Sequence, residues 1–263
     1  VRSTDLHHVA LATRDAGGLV APLVGELGGV LLNGGENLGF RSYQVRLGDA
    51  DDGMTLEILE PWHPERFDFL ERFLARHGDG PHHLTFKVPD LAATLERVRS
   101  SGYTPVGISL ADPRWKEAFL QPREAHGTVV QLAQAESPFP DFAAEFAAVQ
   151  AQGAHAEAAW WPPPPQVAAA PTVLRRVVMA TPDPDAAVAF FAGLLDGDVD
   201  ASGTDDGRAW VELRWPGAAR VRLEEIHDAK PGVTRLELET TGPARDVQIA
   251  ATRLVVATVD QSR

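Results

Sequence analysis

The chain contains no cysteine. Disulfides and thiolate ligands are therefore excluded, and any metal must be held by histidine, carboxylate or amide oxygen. No apolar run approaches the roughly 18 residues that a membrane-spanning helix needs. The opening VRSTDL lacks the charged-then-apolar layout of a secretory signal. Positive charge is scarce: 24 Lys and Arg stand against 37 Asp and Glu, a formal net charge of −13. No Lys/Arg cluster interrupts that acidity, so nucleic acid would be repelled. These absences lead to the expectation of a cytoplasmic protein with neither nucleic-acid nor membrane partners, although missing cysteine alone proves no compartment.

What is present is a core and a repeat. Apolar residues make up 44% of 263, enough for one large domain or two ordinary ones. The phrase LHHVALATRD at 6–15 returns as PHHLTFKVPD at 81–90, an offset of 75 residues. Both alternate as strands do, and an aspartate, Asp15 or Asp90, follows at the same distance. After Asp90, Leu91, Leu95 and Val98 fall at helical spacing and Gly102 closes the helix. After Asp15 the helix should be weaker, because Gly17, Gly18 and Gly25 interrupt it. Each unit ends alike, GMTLEILEP placing Glu57 four residues after Gly53 and GTVVQLAQ placing Gln131 four after Gly127. Each unit thus reads as strand, helix, then two or three strands. An amphipathic segment from Pro64 to His77, with Phe67, Leu70, Phe73 and Leu74 on one face, joins them.

The phrase fades further on. LRRVVMATPD at 174–183 carries Arg175 and Arg176 where the histidines stood, and a helix should follow with Val188, Phe191 and Leu195 as its stripe. RAWVELRW and RVRLEEI read as strands of this third unit. A fourth unit starts at GVTRLELETTG, where Arg235 matches His83, and is too short for all its strands. Between the halves, residues 136–171 form an Ala/Pro-rich linker with four consecutive prolines, a stiff polyproline spacer, and Trp160 and Trp161 should pack this linker against a domain rather than bind a ligand. The expected domains are 1–135, with two βαβββ modules, then the linker 136–171, then a degenerate and truncated copy over 172–263.

If the first two units pair side by side, His8 and His83 occupy equivalent places on their first strands, and Glu57 and Gln131 on their last. Two imidazoles, one carboxylate and one amide oxygen make a mixed N/O site, and four protein ligands leave a six-coordinate ion two open positions. His7 and His82 should point to the opposite face as structural residues. His63, His77, His126, His155 and His227 read as exposed or loop residues, with His126 set apart because it stands just before the Gln131 strand. Arg176 and Arg235 keep their charge where imidazoles should be, and should pair with Glu224, Glu225 or Glu237.

The paired HHVALAT and HHLTFKV strands, with LEILEP and GTVVQLAQ closing each unit, resemble the vicinal oxygen chelate superfamily. That superfamily includes glyoxalase I, methylmalonyl-CoA epimerase, fosfomycin resistance proteins and extradiol dioxygenases. The resemblance covers about 5–134 well and 172–260 faintly, and the first half is most similar to methylmalonyl-CoA epimerases. It implies an α+β fold of curved mixed sheets built from paired βαβββ modules in two tandem glyoxalase-like domains. It also implies a divalent metal ion (Zn, Ni, Co, Mn or Fe) held by His8, Glu57, His83 and Gln131. One departure matters: the family usually has glutamate where Gln131 stands, which argues against dioxygenase and fosfomycin-type activities.

The chemistry implied is isomerase or lyase: chelation of two neighbouring oxygens and stabilisation of an enolate as an α-proton leaves. Glu57 and Glu36, the latter in LNGGENLGF, are the candidate acid/base residues. That loop is no phosphate cradle, since it lacks a following helix start and any Lys-Ser/Thr pair. Tyr43, Gln44 and Arg46 follow on a strand, one face of which should line the cleft. Arg114, Lys116 and Arg123, around Trp115 and Phe119, either meet an anionic tail such as that of an acyl-CoA or are simply solvated. The partner is a small molecule: an oxo-acid, a thioester such as an acyl-CoA, or a thiol adduct. A non-catalytic binder and an Fe(II) dioxygenase are the alternatives, and the chain is either a monomer or a homodimer.

Overall fold

The structure is a computed structural model that describes residues 3–49, 52–135, 172–249 and 252–258. The expected linker 136–171, with Trp160 and Trp161, lies outside the described residues, as does His155. The first repeat folds as β1 (Asp5–Ala12), α1 (Ala16–Gly25), β2 (Val30–Asn37), β3 (Phe40–Leu47) and β4 (Met54–Pro61). After α2 (Phe69–His77), the second folds as β5 (Gly80–Lys87), α3 (Leu91–Ser100), β6 (Val106–Ser109), β7 (Lys116–Leu120) and β8 (Val129–Gln134). The third comprises β9 (Thr172–Thr181), α4 (Pro184–Phe191), β10 (Asp198–Asp205), β11 (Arg208–Arg214) and β12 (Arg220–Glu225). The fourth has β13 (Gly232–Thr240), β14 (Arg245–Ile249) and β15 (Thr252–Thr258), with no helix among the described residues.

The fold is α+β, with one eight-stranded sheet in the order β2-β3-β4-β1-β5-β8-β7-β6 and one seven-stranded sheet in the order β10-β11-β12-β9-β13-β15-β14. β5 runs parallel to β8, and β9 parallel to β12, while β2–β3, β3–β4, β6–β7, β7–β8, β10–β11, β11–β12 and β14–β15 are antiparallel. Among the described residues no helix is long and apolar enough to cross a membrane.

The repeated aspartate has a physical role. Asp15, Asp90 and Asp183 each cap a helix, accepting from the backbone N–H of Gly18 (2.8 Å), Ala93 (3.0 Å) and Ala186 (2.9 Å). In α1 the glycines do not prevent a helix, because Leu19, Val20, Leu23 and Val24 bury one face of it.

The amphipathic segment forms a shorter helix than expected. It starts at Phe69, buries Leu70 and Leu74, and leaves Phe67 46% exposed. The stripe after Asp183 also differs: Ala187, Phe190 and Phe191 are buried, followed by Leu194 and Leu195 beyond the helix end.

The chain divides into two compact units. One comprises Val1–His8, His83–Pro138 and Arg176–Arg235. Its core includes Phe86, whose ring centroid lies 5.1 Å from that of Trp215, and the Phe190–Phe191 pair at 4.9 Å. Trp215 satisfies its indole N–H by donating to the Leu195 carbonyl at 2.8 Å. The other unit comprises Val9–His82, Phe139–Arg175 and Leu236–Arg263, and its core includes Leu11, Leu23, Leu27, Leu47, Leu56 and Ile58.

Candidate functional site

Strand alternation positions the candidate donors. On β5, His83 and Thr85 share a face, and the parallel register sets Thr85 beside Gln131 on β8. The rings of His8 and His83 lie 5.7 Å apart at 67°. His8 is 1% exposed and His83 6%. His8, Glu57 and His83 each offer one ligand atom, and these atoms lie within 4.8 Å of one another. They form the one group of three or more His or carboxylate side chains so gathered among the described residues.

Gln131, the fourth expected ligand, is buried and held at both ends of its amide. Its Oε1 accepts from the Thr85 hydroxyl at 2.6 Å, and its Nε2 donates to Glu117 Oε2 at 2.8 Å. The Thr85 oxygen also lies 2.8 Å from His8 Nε2. Thr85 and Glu117 are not among the residues that the repeat spacing singles out. The signal for Thr85 was its position two residues after His83, on the same strand face. Glu117 carries no such signal, because its approach to Gln131 depends on the β7–β8 pairing.

The register separates Glu36 from this group. Glu57 lies opposite Gln44, which lies opposite Asn33, so these three share one face. Glu36 belongs to the row Glu36–Arg41–Glu60, three pairs along and on the other face. Glu60 accepts from the Ala16 backbone N–H of α1 at 3.2 Å, which identifies that face as the helix side. Glu36 is exposed there. Tyr43 also turns to the helix side. Burial first, then the Glu60 carboxylate, raises its phenol pKa. Of the expected cleft-lining trio, Gln44 and Arg46 face with Glu57, and Arg46 is tied to the carbonyls of Asp49 and Asp52 at 3.1 Å each.

The neighbouring histidines take other roles. His7, expected to point away, brings its Nδ1 within 2.8 Å of His8 Nδ1. His82 packs on Phe73, with ring centroids 4.5 Å apart, and burial pushes its pKa down to about 4 despite the opposing Glu57 carboxylate. His126 stands at φ 53° with its ring 5.7 Å from Phe190, away from the Gln131 network.

Burial pushes the His126 pKa below its usual value, against the pull of Asp183. Such a histidine takes up its proton more readily in the unfolded chain. Its contribution to stability is therefore fully present above about pH 6.5 and is lost as pH falls towards the folded value. His126→Asn, a residue tolerated at positive φ, should flatten part of the acid slope in denaturant titrations between about pH 5 and 7.5. An unchanged slope would count against this account.

The third and fourth repeats hold ion pairs at the corresponding positions. Arg235, which matches His83, makes a bidentate pair with Glu224 at 2.7 and 2.8 Å, as the sequence suggested. The hydrogen bond from Arg235 lowers the Glu224 pKa. Arg176, on β9, forms an ion pair with Glu212 of β11, the strand beyond β12. Among the candidate tail-binding cations, Arg114 is committed to Asp112 at 2.9 Å, while Trp115 donates its indole N–H to Glu117 at 2.8 Å.

No curated protein matches the chain. Among solved structures, a hypothetical protein from Staphylococcus aureus matches 97% of this chain with all of its own, at 10% identity and a TM-score of 0.66. A hypothetical protein from Bacillus halodurans covers 53% of this chain with all of its own, at 22% identity and a TM-score of 0.47. A variant methylmalonyl-CoA epimerase from Streptomyces coelicolor, in complex with 2-nitronate-propionyl-CoA, covers 51% with 99% of its own chain, at 23% identity and a TM-score of 0.45. The first of these shares the fold across nearly the whole chain. Residues 7–119 match the model of the glyoxalase/bleomycin resistance protein/dioxygenase superfamily. That region, which contains His8, Glu57 and His83, is where the chain is similar to the vicinal oxygen chelate superfamily.

Proposed function

We propose that the protein is a divalent-metal-dependent isomerase or lyase that removes an α-proton from a small oxo-acid, a thioester such as an acyl-CoA, or a thiol adduct. The observation that carries the reading is the gathering of His8, Glu57 and His83 donor atoms within 4.8 Å. Their chemistry fits a borderline cation: two imidazole nitrogens and one carboxylate suit Zn, Ni, Co, Mn or Fe alike. When bound, such an ion would hold two neighbouring substrate oxygens and stabilise the negative charge that develops on them. Glu57 is the carboxylate in the group and the one assigned to accept the proton. Glu36, on the opposite sheet face, takes no part. Gln131 holds its amide between Thr85 and Glu117 and serves as an orienting group or further oxygen ligand, not as a base. In this reading residues 1–135 carry the site, and 172–263 form a copy in which Arg235–Glu224 stands in place of ligands.

The test is α-proton exchange. The protein, loaded in turn with each of the five ions, is incubated in D2O with a 2-substituted malonyl thioester and with 2-oxo-acids. Deuterium incorporation that requires the ion supports the reading. Retention of metal and ligand without exchange would make the protein a binder. A second reading has its own observation, since two histidines and one carboxylate are also the donors of Fe(II) oxygenases. Oxygen uptake with Fe(II) and catechols, without exchange in the first assay, would favour it.

A further inference from the structure

The hydrogen bonds around Gln131 have a direction that can be derived from one end. Glu117 Oε2 receives the Trp115 indole N–H and the Gln131 Nε2 at 2.8 Å each. An indole nitrogen can only donate, and a carboxylate oxygen accepts. The Gln131 amide must therefore turn its NH2 towards Glu117 and its oxygen towards Thr85; the flipped amide would set two acceptors against each other. That oxygen, 2.6 Å from the Thr85 hydroxyl, takes the single hydroxyl proton. Towards His8 Nε2, at 2.8 Å, the Thr85 oxygen is left only as an acceptor. The His8 proton then belongs on Nε2. A neutral ring so protonated has its lone pair on Nδ1, which can accept from His7 Nδ1 at 2.8 Å.

We infer that Glu117 and Thr85 are positioning residues: through the Gln131 amide they fix the tautomer of His8, with the proton on Nε2 and the lone pair on Nδ1. Neither residue belongs to the three-donor group, and both act through others. The inference stands on hydrogen bonding within β1, β5, β7 and β8. Its bearing on metal rests on the reading proposed above: an ion at His8 would have to compete with His7 for Nδ1 or displace the proton held towards Thr85. The arrangement thus makes metal loading a choice between two defined exchanges at one imidazole.

The experiment reads the ring nitrogens directly. The full chain, labelled with 15N-histidine and stripped of metal by a chelator, is studied by long-range 1H–15N correlation, and His8 is assigned with His8→Gln. The expected wild-type pattern is protonated Nε2 and unprotonated Nδ1. Thr85→Val should lower the Nε2–H to Nδ1–H ratio about fivefold, the weight of one ordinary hydrogen bond, while Thr85→Ser should restore it. Glu117→Gln, whose amide can present either end to Gln131, should also lower the ratio. Thermal melts of each variant verify the fold, and the serine variant keeps the test decisive if valine unfolds the strand. A wild-type His8 protonated on Nδ1, or an unaltered pattern in both Thr85→Val and Glu117→Gln, would overturn the inference. Zinc titration of the same wild-type sample separates the two claims. Absence of binding there sinks the metal reading and leaves the tautomer result standing.

Discussion

Replacing His83 with alanine should strip the protein of divalent metal and leave it folded. Metal content by mass spectrometry is expected to fall from about one ion per chain to near none. Affinity should fall by more than the roughly 10- to 100-fold typical of a lost outer-shell partner, because one of three gathered donors disappears. His8→Ala should do the same. The matched control is Arg235→Ala, at the equivalent place in the fourth repeat. It leaves the Glu224 carboxylate without its bidentate partner and should cost about 1–2 kcal/mol of stability, with metal content unchanged. Equal metal loss in the two variants would show that the repeats were misassigned. Metal retained by His83→Ala would remove the basis for any reaction assigned to this site.

Gly127→Ala should be among the most damaging single substitutions in the molecule, although it touches none of the candidate ligands. Gly127 has φ 89°, and an added Cβ would stand 2.3 Å from the backbone carbonyl atoms of Pro231 and 2.6 Å from the Gly232 nitrogen. Both obstacles are main chain, so no side-chain rotation relieves them. A left-handed residue with a Cβ costs about 1–2 kcal/mol by itself, and moving a backbone segment should bring the total to about 3 kcal/mol or more. In a domain of this size that lowers Tm by roughly 6–12 °C. Gly102→Ala is the comparison: φ is 88° there too, but nothing lies within 4 Å of the new Cβ, so only the conformational cost of about 1–2 kcal/mol applies. Similar melting points for the two variants would show that the contact with Pro231 carries little of the energy.

Much of this architecture was legible because repetition encodes it. The aspartates after each first strand read as helix starts, and all three cap helices. The pairing of Arg235 with Glu224 could be anticipated because a half-buried guanidinium needs an anion and the neighbouring strands supply one. Other features were illegible for local reasons. The glycines of α1 do not prevent the helix, because burial of one apolar face offsets a penalty of about 1 kcal/mol for each interior glycine. Arg176 found Glu212, which is not among the acids expected for it, since its long side chain reaches a carboxylate two strands away. Glu36 was placed by its loop alone, and only the β2–β3–β4 register shows that its side chain leaves on the opposite face from Glu57.

The sequence by itself determined the modules, their helix caps and the equivalence of His8 with His83, because these depend on spacing along one strand and on residue chemistry. Tertiary structure decided which groups meet. It gathered Glu57 with the two imidazoles, turned Glu36 away, and tied Gln131 to Thr85 and Glu117. Those outcomes depend on register between strands far apart in the chain, where a shift of one residue reverses every side chain. No local pattern records that register; the packing of the whole sheet sets it.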